Sequence, residues 1–203
     1  LKPLATLLMT LRGTPYVYQG DEIGMTNIKY PSIDYYDDIE TRNAWKEAEE
    51  QGKDMDIFLK AVHRQSRDNA RTPLQWDNSR NAGFSSSKPW LDVNENYNKI
   101  NVELQQDNPD SILNYYREII KIRKNNSTLI YGDFLDLEPS NEKLYIYKRW
   151  DKQKTFIIVL NFSDDMAQWD IHNFDSMRLV ISNYKKSVYT KSVDPWEARV
   201  YIC

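Results

Sequence analysis

Leu4, Leu7, Leu8 and Leu11 recur at i, i+3, i+4 and i+7, which predicts a helix over residues 3–12 with one apolar face. Pro3 suits its first turn and Gly13 the position just past its end. Tyr16-Val17-Tyr18 then predicts a short buried strand, opened by Pro15 and closed by Gly20. Gln19, Asp21 and Glu22 cluster at its C-terminal end, where α/β barrels and open α/β sheets carry ligands. Residues 26–40 predict a long polar and aromatic loop, residues 39–66 a helical stretch broken at Gly52, and residues 67–109 irregular structure rich in turn signals. The aromatics Trp76, Phe84, Trp90 and Tyr97 argue that this irregular region is ordered.

Residues 110–125 carry the clearest helical pattern. Asp110 is placed to cap it, and Ile112, Leu113, Tyr116, Ile119 and Ile120 form its stripe. After Asn126 the period drops to two. Residues 143–148, 155–160, 177–181 and 198–202 predict short strands separated by turns, the pattern of a small β-sandwich. A boundary is therefore expected near residue 127.

Composition narrows the classes. The 203 residues are 40% hydrophobic and 28% charged, as in a globular protein. A net charge of −3 gives no electrostatic case for nucleic acid or an anionic membrane. No apolar run approaches the roughly 18 residues that span a bilayer. Cys203 stands alone, so there is no internal disulfide framework, and His63 and His172 lie too far apart in sequence to suggest a His-rich metal site. The helical pattern starts almost at Leu1, which leads us to expect a cut inside a larger protein.

The densest candidate chemistry is Arg67-Asp68-Asn69-Ala70-Arg71-Thr72-Pro73-Leu74-Gln75-Trp76-Asp77. Two guanidinium forks suit carboxylates or vicinal sugar hydroxyls, and Trp76 offers a flat apolar face for a pyranose ring. The same Arg–Asp spacing also serves simply to tie a loop to a helix end. Asp21 and Glu22 suggest either catalysis or loop capping, but adjacent side chains of an extended segment point apart, a poor arrangement for an acid–nucleophile pair. Asp37 and Asp38 open a helix and complement its dipole. No phosphate loop, nucleophile elbow, CxxC or HExxH is present.

Gly13-Thr14-Pro15-Tyr16-Val17-Tyr18-Gln19-Gly20-Asp21-Glu22-Ile23-Gly24-Met25 resembles the eighth-strand segment of the α-amylase superfamily. The match is to the oligo-1,6-glucosidase, α-glucosidase and trehalose-6-phosphate hydrolase branch. Asp38 to Thr41, Arg67 to Asp77, Ala82-Gly83-Phe84, Lys88-Pro89-Trp90, Asn96-Tyr97 and Tyr115-Tyr116-Arg117 follow in that branch's order. The resemblance implies an α/β barrel fragment, the last strand and helices of a TIM barrel, over residues 1–126, followed by an all-β C-terminal sandwich over 127–203. It implies retaining hydrolysis of α-glucosidic bonds by two carboxyl groups about 5–5.5 Å apart. The family's catalytic carboxylates sit on earlier strands, so no catalytic residue is expected in this chain, and about 350 further residues are expected before Leu1.

Binding residues do carry over. Arg71 matches the family arginine that holds the non-reducing glucose, usually paired with an Asp supplied from upstream, Arg67 a second arginine nearby, and Glu40 a loop position toward the aglycone. The resemblance implies no metal and no cofactor in this stretch, a small oligosaccharide as substrate, the N-terminal remainder of the same enzyme as partner, no nucleic acid or membrane partner, and a cytoplasmic location. Two other readings compete. One is a non-catalytic amylase-like interaction protein. The other makes residues 127–203 a carbohydrate-binding module with Tyr145, Tyr147, Trp150 and Trp169 as a stacking face.

Overall fold

The computed structural model describes residues 1–170, 176–185 and 190–203; His172 lies outside the described residues. Two compact units result, Leu1–Val17 with Asn114–Cys203, and Tyr18–Leu113.

In the first unit, α1 (Lys2–Thr10) starts with Pro3 in its first turn, where a missing N–H costs nothing. Its buried side is Pro3, Ala5, Thr6, Met9 and Thr10. Leu4, on the leucine stripe, is 54% exposed. The helix closes through Leu11, in extended conformation, so Gly13 (φ 118°) stands two residues beyond the cap. Helix α5 (Ile112–Lys124) begins one residue after Ser111, so the position that Asp110 was expected to fill belongs to Ser111. Tyr115, Tyr116, Ile119 and Arg123 make up its buried side. The Thr6 and Tyr115 hydroxyls meet at 2.6 Å, which fixes α1 against α5.

A further turn of helix, α6 (Ser127–Tyr131), leads through Gly132 into the strands. A Cβ on Gly132 would lie 2.4 Å from the Thr128 carbonyl and 2.7 Å from that of Trp150, so only glycine fits there. The strands are β1 (Asp133–Asp136), β2 (Leu144–Trp150), β3 (Thr155–Asn161), β4 (Ala167–Gln168), β5 (Arg178–Ser182), β6 (Ser192–Val193) and β7 (Ala198–Ile202). An antiparallel sheet runs β1-β2-β3-β7-β5, with a bulge between Leu179 and Ile181, and β4 pairs with β6. Leu144, Ile146, Ile157, Val159 and Tyr201 from the large sheet share one core with Ala167, Trp169 and Val193 around the small one.

The second unit holds α2 (Ile39–Glu50), α3 (Met55–Gln65), a short α4 (Val102–Gln106) and several single 3-10 turns. The break between α2 and α3 falls at Gly52, whose φ of 65° ends a helix without a Cβ penalty. Asp54 then caps α3 by accepting from the amides of Asp56 and Ile57. Tyr30, Tyr36, Ile28 and Val62 form its core.

The strand expected at Tyr16–Tyr18 is absent. Among the described residues, no strand ladders with this segment, and Tyr16 is 83% exposed. A strand is defined by its ladder partners, so an apolar run alone does not make one.

Candidate functional site

Arg67 and Arg71 occupy the two ends of one 3-10 turn, Arg67–Ala70 with Arg71 as its C-terminal cap. Ser66 starts the turn by accepting from the Asp68 amide. Each arginine meets its own aspartate, and the two meetings differ.

Asp38 is 2% exposed. It stands at the N-terminus of α2, yet its side chain does not cap that helix. Instead Oδ1 accepts from Arg67 Nε at 2.9 Å and Nη2 at 2.6 Å, while Oδ2 accepts from the Arg67 amide at 3.1 Å and the Thr41 hydroxyl at 2.8 Å. These bonds, led by the Arg67 side chain, hold the Asp38 carboxyl well below the usual carboxylate range, and its burial opposes them. Glu40, largely exposed, lies 3.3 Å from the same Arg67 Nη2. The structure thus joins Arg67 and Glu40, with most of the Arg67 fork already occupied.

Asp68 is fully buried. Its Oδ2 accepts from the backbone amides of Asp37 (2.6 Å) and Asp38 (2.9 Å), and its Oδ1 accepts from Arg71 Nη1 at 3.2 Å. That is the sole side-chain hydrogen bond of Arg71 among the described residues, and its guanidinium is partly open to solvent. Asp37 reaches in the other direction: its side chain accepts from the Trp90 indole N–H at 2.5 Å and pairs with Arg42 at 3.0 Å. Trp90 is 67% exposed, so its ring faces stay available.

A groove of about 220 Å³ runs along Asp38, Glu40, Thr41, Phe58, Ser66 and Arg67. Larger hollows of about 520 Å³, between residues 26–31 and 92–96, and about 660 Å³, beside α2, are lined by neither Arg67 nor Arg71.

Asp21 accepts from the Tyr18 amide and Glu22 from the Gly20 amide, so both acids serve the turn around Gly20. Trp76 is half exposed, and Asn81, Ala82 and Gly83, all with φ near 60°, form the turn whose Ala82 carbonyl takes the amides of Trp76 and Asp77. Of the four aromatics that a carbohydrate-binding module would use as a stacking face, Tyr147 and Trp169 are core residues, the role that alternation along the strands favours for about half of them, and Tyr145 and Trp150 are half-buried. Among the described residues, no group of three or more His, Cys, Asp or Glu is arranged to hold a metal ion, and no helix is long and apolar enough to cross a membrane.

The Arg–Asp pairing expected from the Arg67–Arg71 segment is present between Arg71 and Asp68, whereas Asp38, expected at a helix entry, is instead the partner of Arg67. The usable signal was local: an acid followed three residues later by Thr41 resembles a cap, while the partner that claims it lies 29 residues downstream.

Residues 1–132 match the family described as alpha amylase, catalytic domain. The chain is 41% identical over 208 residues to an oligo-1,6-glucosidase of Parageobacillus thermoglucosidasius, covering 98% of this chain and 37% of that protein. It is 38% identical to the trehalose-6-phosphate hydrolase of Escherichia coli, covering 92% of this chain and 34% of that one. Among solved structures, the isomaltulose synthase of Protaminobacter rubrum superposes with a TM-score of 0.91 at 42% identity, over 99% of this chain and 37% of that one. The trehalose-6-phosphate hydrolase of Bacillus licheniformis gives 0.93 at 33% identity, over 99% and 38%. The chain spans a little over a third of the length of these relatives, and it belongs to the alpha-amylase family.

Proposed function

We propose that this chain is the C-terminal portion of an exo-acting, retaining α-glucosidase that cleaves α-glucosidic bonds of short oligosaccharides in the cytoplasm. Residues 1–126 complete its (β/α)8 barrel, and residues 127–203 form its β-sandwich domain. The nucleophile and acid lie in the N-terminal remainder. Arg71 holds the terminal, non-reducing glucose through charge-assisted hydrogen bonds, closing the pocket behind one sugar. Arg67 braces the pocket wall, and Glu40 faces the aglycone side.

The observation that carries this reading is the single bond of Arg71. One Nη1–H on Asp68 fixes the side chain and leaves donors of the fork for a ligand. Arg67, bound to Asp38 through two nitrogens, has less to offer. A non-catalytic amylase-like protein gains nothing from such an arrangement.

The test uses the full-length protein that carries this chain. It hydrolyses isomaltose or p-nitrophenyl α-glucoside and releases α-glucose first. Arg71→Ala lowers kcat/KM by about a hundredfold or more, the scale of a lost charged hydrogen bond at a transition state. The isolated 203-residue chain shows no turnover. An Arg71→Ala enzyme with wild-type kinetics would contradict the assignment.

A further inference from the structure

We infer that Asp68 is the positioning residue of the sugar pocket: one buried carboxylate that sets Arg71 and the Asp37–Asp38 entry to α2 in a common frame. The inference rests on the proposed role of Arg71.

The division of labour between the two oxygens carries it. Oδ2 is spent on the amides of Asp37 and Asp38, and Oδ1 on Arg71. A carboxylate with no exposed surface is costly unless its charge is answered by hydrogen bonds and an opposite charge, and here both come from different segments of the chain. The amides come from the loop that carries Asp38, the clamp on Arg67, and then Glu40. The nearest charge is Arg71, whose guanidinium donates to Asp68 directly; Arg67 hydrogen-bonds Asp38 and pairs with Glu40, and reaches Asp68 only through space. Arg71 is therefore aimed from behind, by a group that never reaches the substrate, and any shift of the loop shifts Asp68 and Arg71 together.

Asp68→Asn separates the two halves of this role. The amide oxygen continues to accept from Asp37 and Asp38, while the NH2 group now faces Arg71, donor against donor. The loop stays and the aim is lost. In the full-length enzyme we expect D68N to lower kcat/KM by about ten- to a hundredfold. In the R71A background D68N costs less than about threefold, because the two residues act as a unit. Guanidinium ion, well below denaturing concentrations, restores part of the activity of R71A, because Asp68 still offers its cradle, and restores none to R71A/D68N. The R71A rescue needs no change at residue 68, so it reads the cradle even where D68N folds poorly. Wild-type kcat/KM in D68N, effects of D68N and R71A that multiply, or failure of guanidinium to rescue R71A each overturns the inference. A wild-type enzyme inactive on every α-glucoside removes the pocket reading and the inference together, whereas an active wild type with any of those three outcomes overturns the inference alone.

Discussion

Arg149 donates to the backbone carbonyl of Thr10 at 2.6 Å, across 139 positions of sequence, and the Thr10 hydroxyl meets the Tyr147 phenol at 2.5 Å. The guanidinium of Arg149 is fully buried, and its partners are carbonyls: Thr10, Leu129, Gly132 and Asp133. Arg123 repeats the device on the carbonyls of Met9, Leu11 and Gly13. The end of α1 leaves its last carbonyls without intrahelical partners, and two arginines from α5 and β2 supply the donors. Burial lowers the pKa of both, and their mutual repulsion adds to it for Arg149, yet each remains charged at any ordinary pH.

Arg149→Met keeps the bulk and removes the donors. Relief of a buried charge favours the variant, but several buried carbonyls lose their partners at once, at about 1–3 kcal/mol each, so the loss wins. We expect a net destabilisation of about 3 kcal/mol, read as a lower urea midpoint. An equal midpoint would show that water satisfies those carbonyls.

Acid stability depends on Asp38. Its carboxyl titrates below its unfolded value because Arg67, Thr41 and the Arg67 amide favour the ionised form. The unfolded state therefore binds more protons, and stability falls as pH falls. The contribution is whole above about pH 5, starts to go near the ordinary aspartate pKa of about 4, and is lost progressively below it. In Asp38→Asn the acid limb of a Tm-against-pH curve flattens, at a lower overall Tm. A limb that keeps its wild-type shape assigns the acid sensitivity to other carboxylates.

Much of this architecture was legible in the chain. Strands β2, β3, β5 and β7 follow two-residue alternation or continuous apolar runs, and Gly52 marks the α2–α3 break. The misses share one cause. Tyr16–Tyr18 has strand composition, yet a strand needs a ladder partner that local sequence cannot supply. That Thr6 and Thr10 face the interior was not legible, because the hydroxyls they meet, on Tyr115 and Tyr147, lie 109 and 137 positions downstream. The arginines and the neighbouring Asp68 were visible as a motif, while the Asp38 partner of Arg67 was not, since the two pair across 29 positions.

Gly83 tests the turn that follows Trp76. Its φ is 66°, and a Cβ there would lie 2.4 Å from an Asp77 oxygen that Ser79 holds in place through two bonds to the other carboxylate oxygen. Gly83→Ala is expected to cost at least about 1 kcal/mol from the left-handed backbone alone. Ala82→Gly, at φ 56°, trades the same strain against chain entropy and changes little. Paired thermal melts decide this; a Gly83→Ala protein as stable as the parent means the turn has another conformation within easy reach.

The strands offer a check on sugar binding outside the pocket. Tyr147 and Trp169 each have less than a twentieth of their surface exposed, so no pyranose reaches their rings. Affinity electrophoresis of the protein through soluble starch or dextran should show no retardation attributable to this sheet, and Trp150→Ala should leave the mobility unchanged. Retardation abolished by Trp150→Ala would restore the binding-module reading for residues 127–203.

Arg67 and Arg71 stand four residues apart and are expected to fail differently. Arg67 spends Nε and Nη2 on Asp38, so Arg67→Ala frees a buried carboxylate from its main partner. That carboxylate then titrates nearer its ordinary value, and the loss appears in Tm and in the acid limb. Arg71 spends one nitrogen on Asp68, and the amides of Asp37 and Asp38 still answer Asp68 when Arg71 is gone. Arg71→Ala takes the nearest counter-charge from Asp68 and so loses some Tm, while kcat/KM in the full-length enzyme collapses and stays collapsed at assay temperatures well below the melt. Arg67→Ala should lose Tm, with a kcat/KM deficit that shrinks as the assay is cooled away from the melt. The reverse pattern, a stable Arg67→Ala without activity beside an unstable but active Arg71→Ala, would exchange the roles of the two arginines and place the sugar on the Asp38 side of the turn.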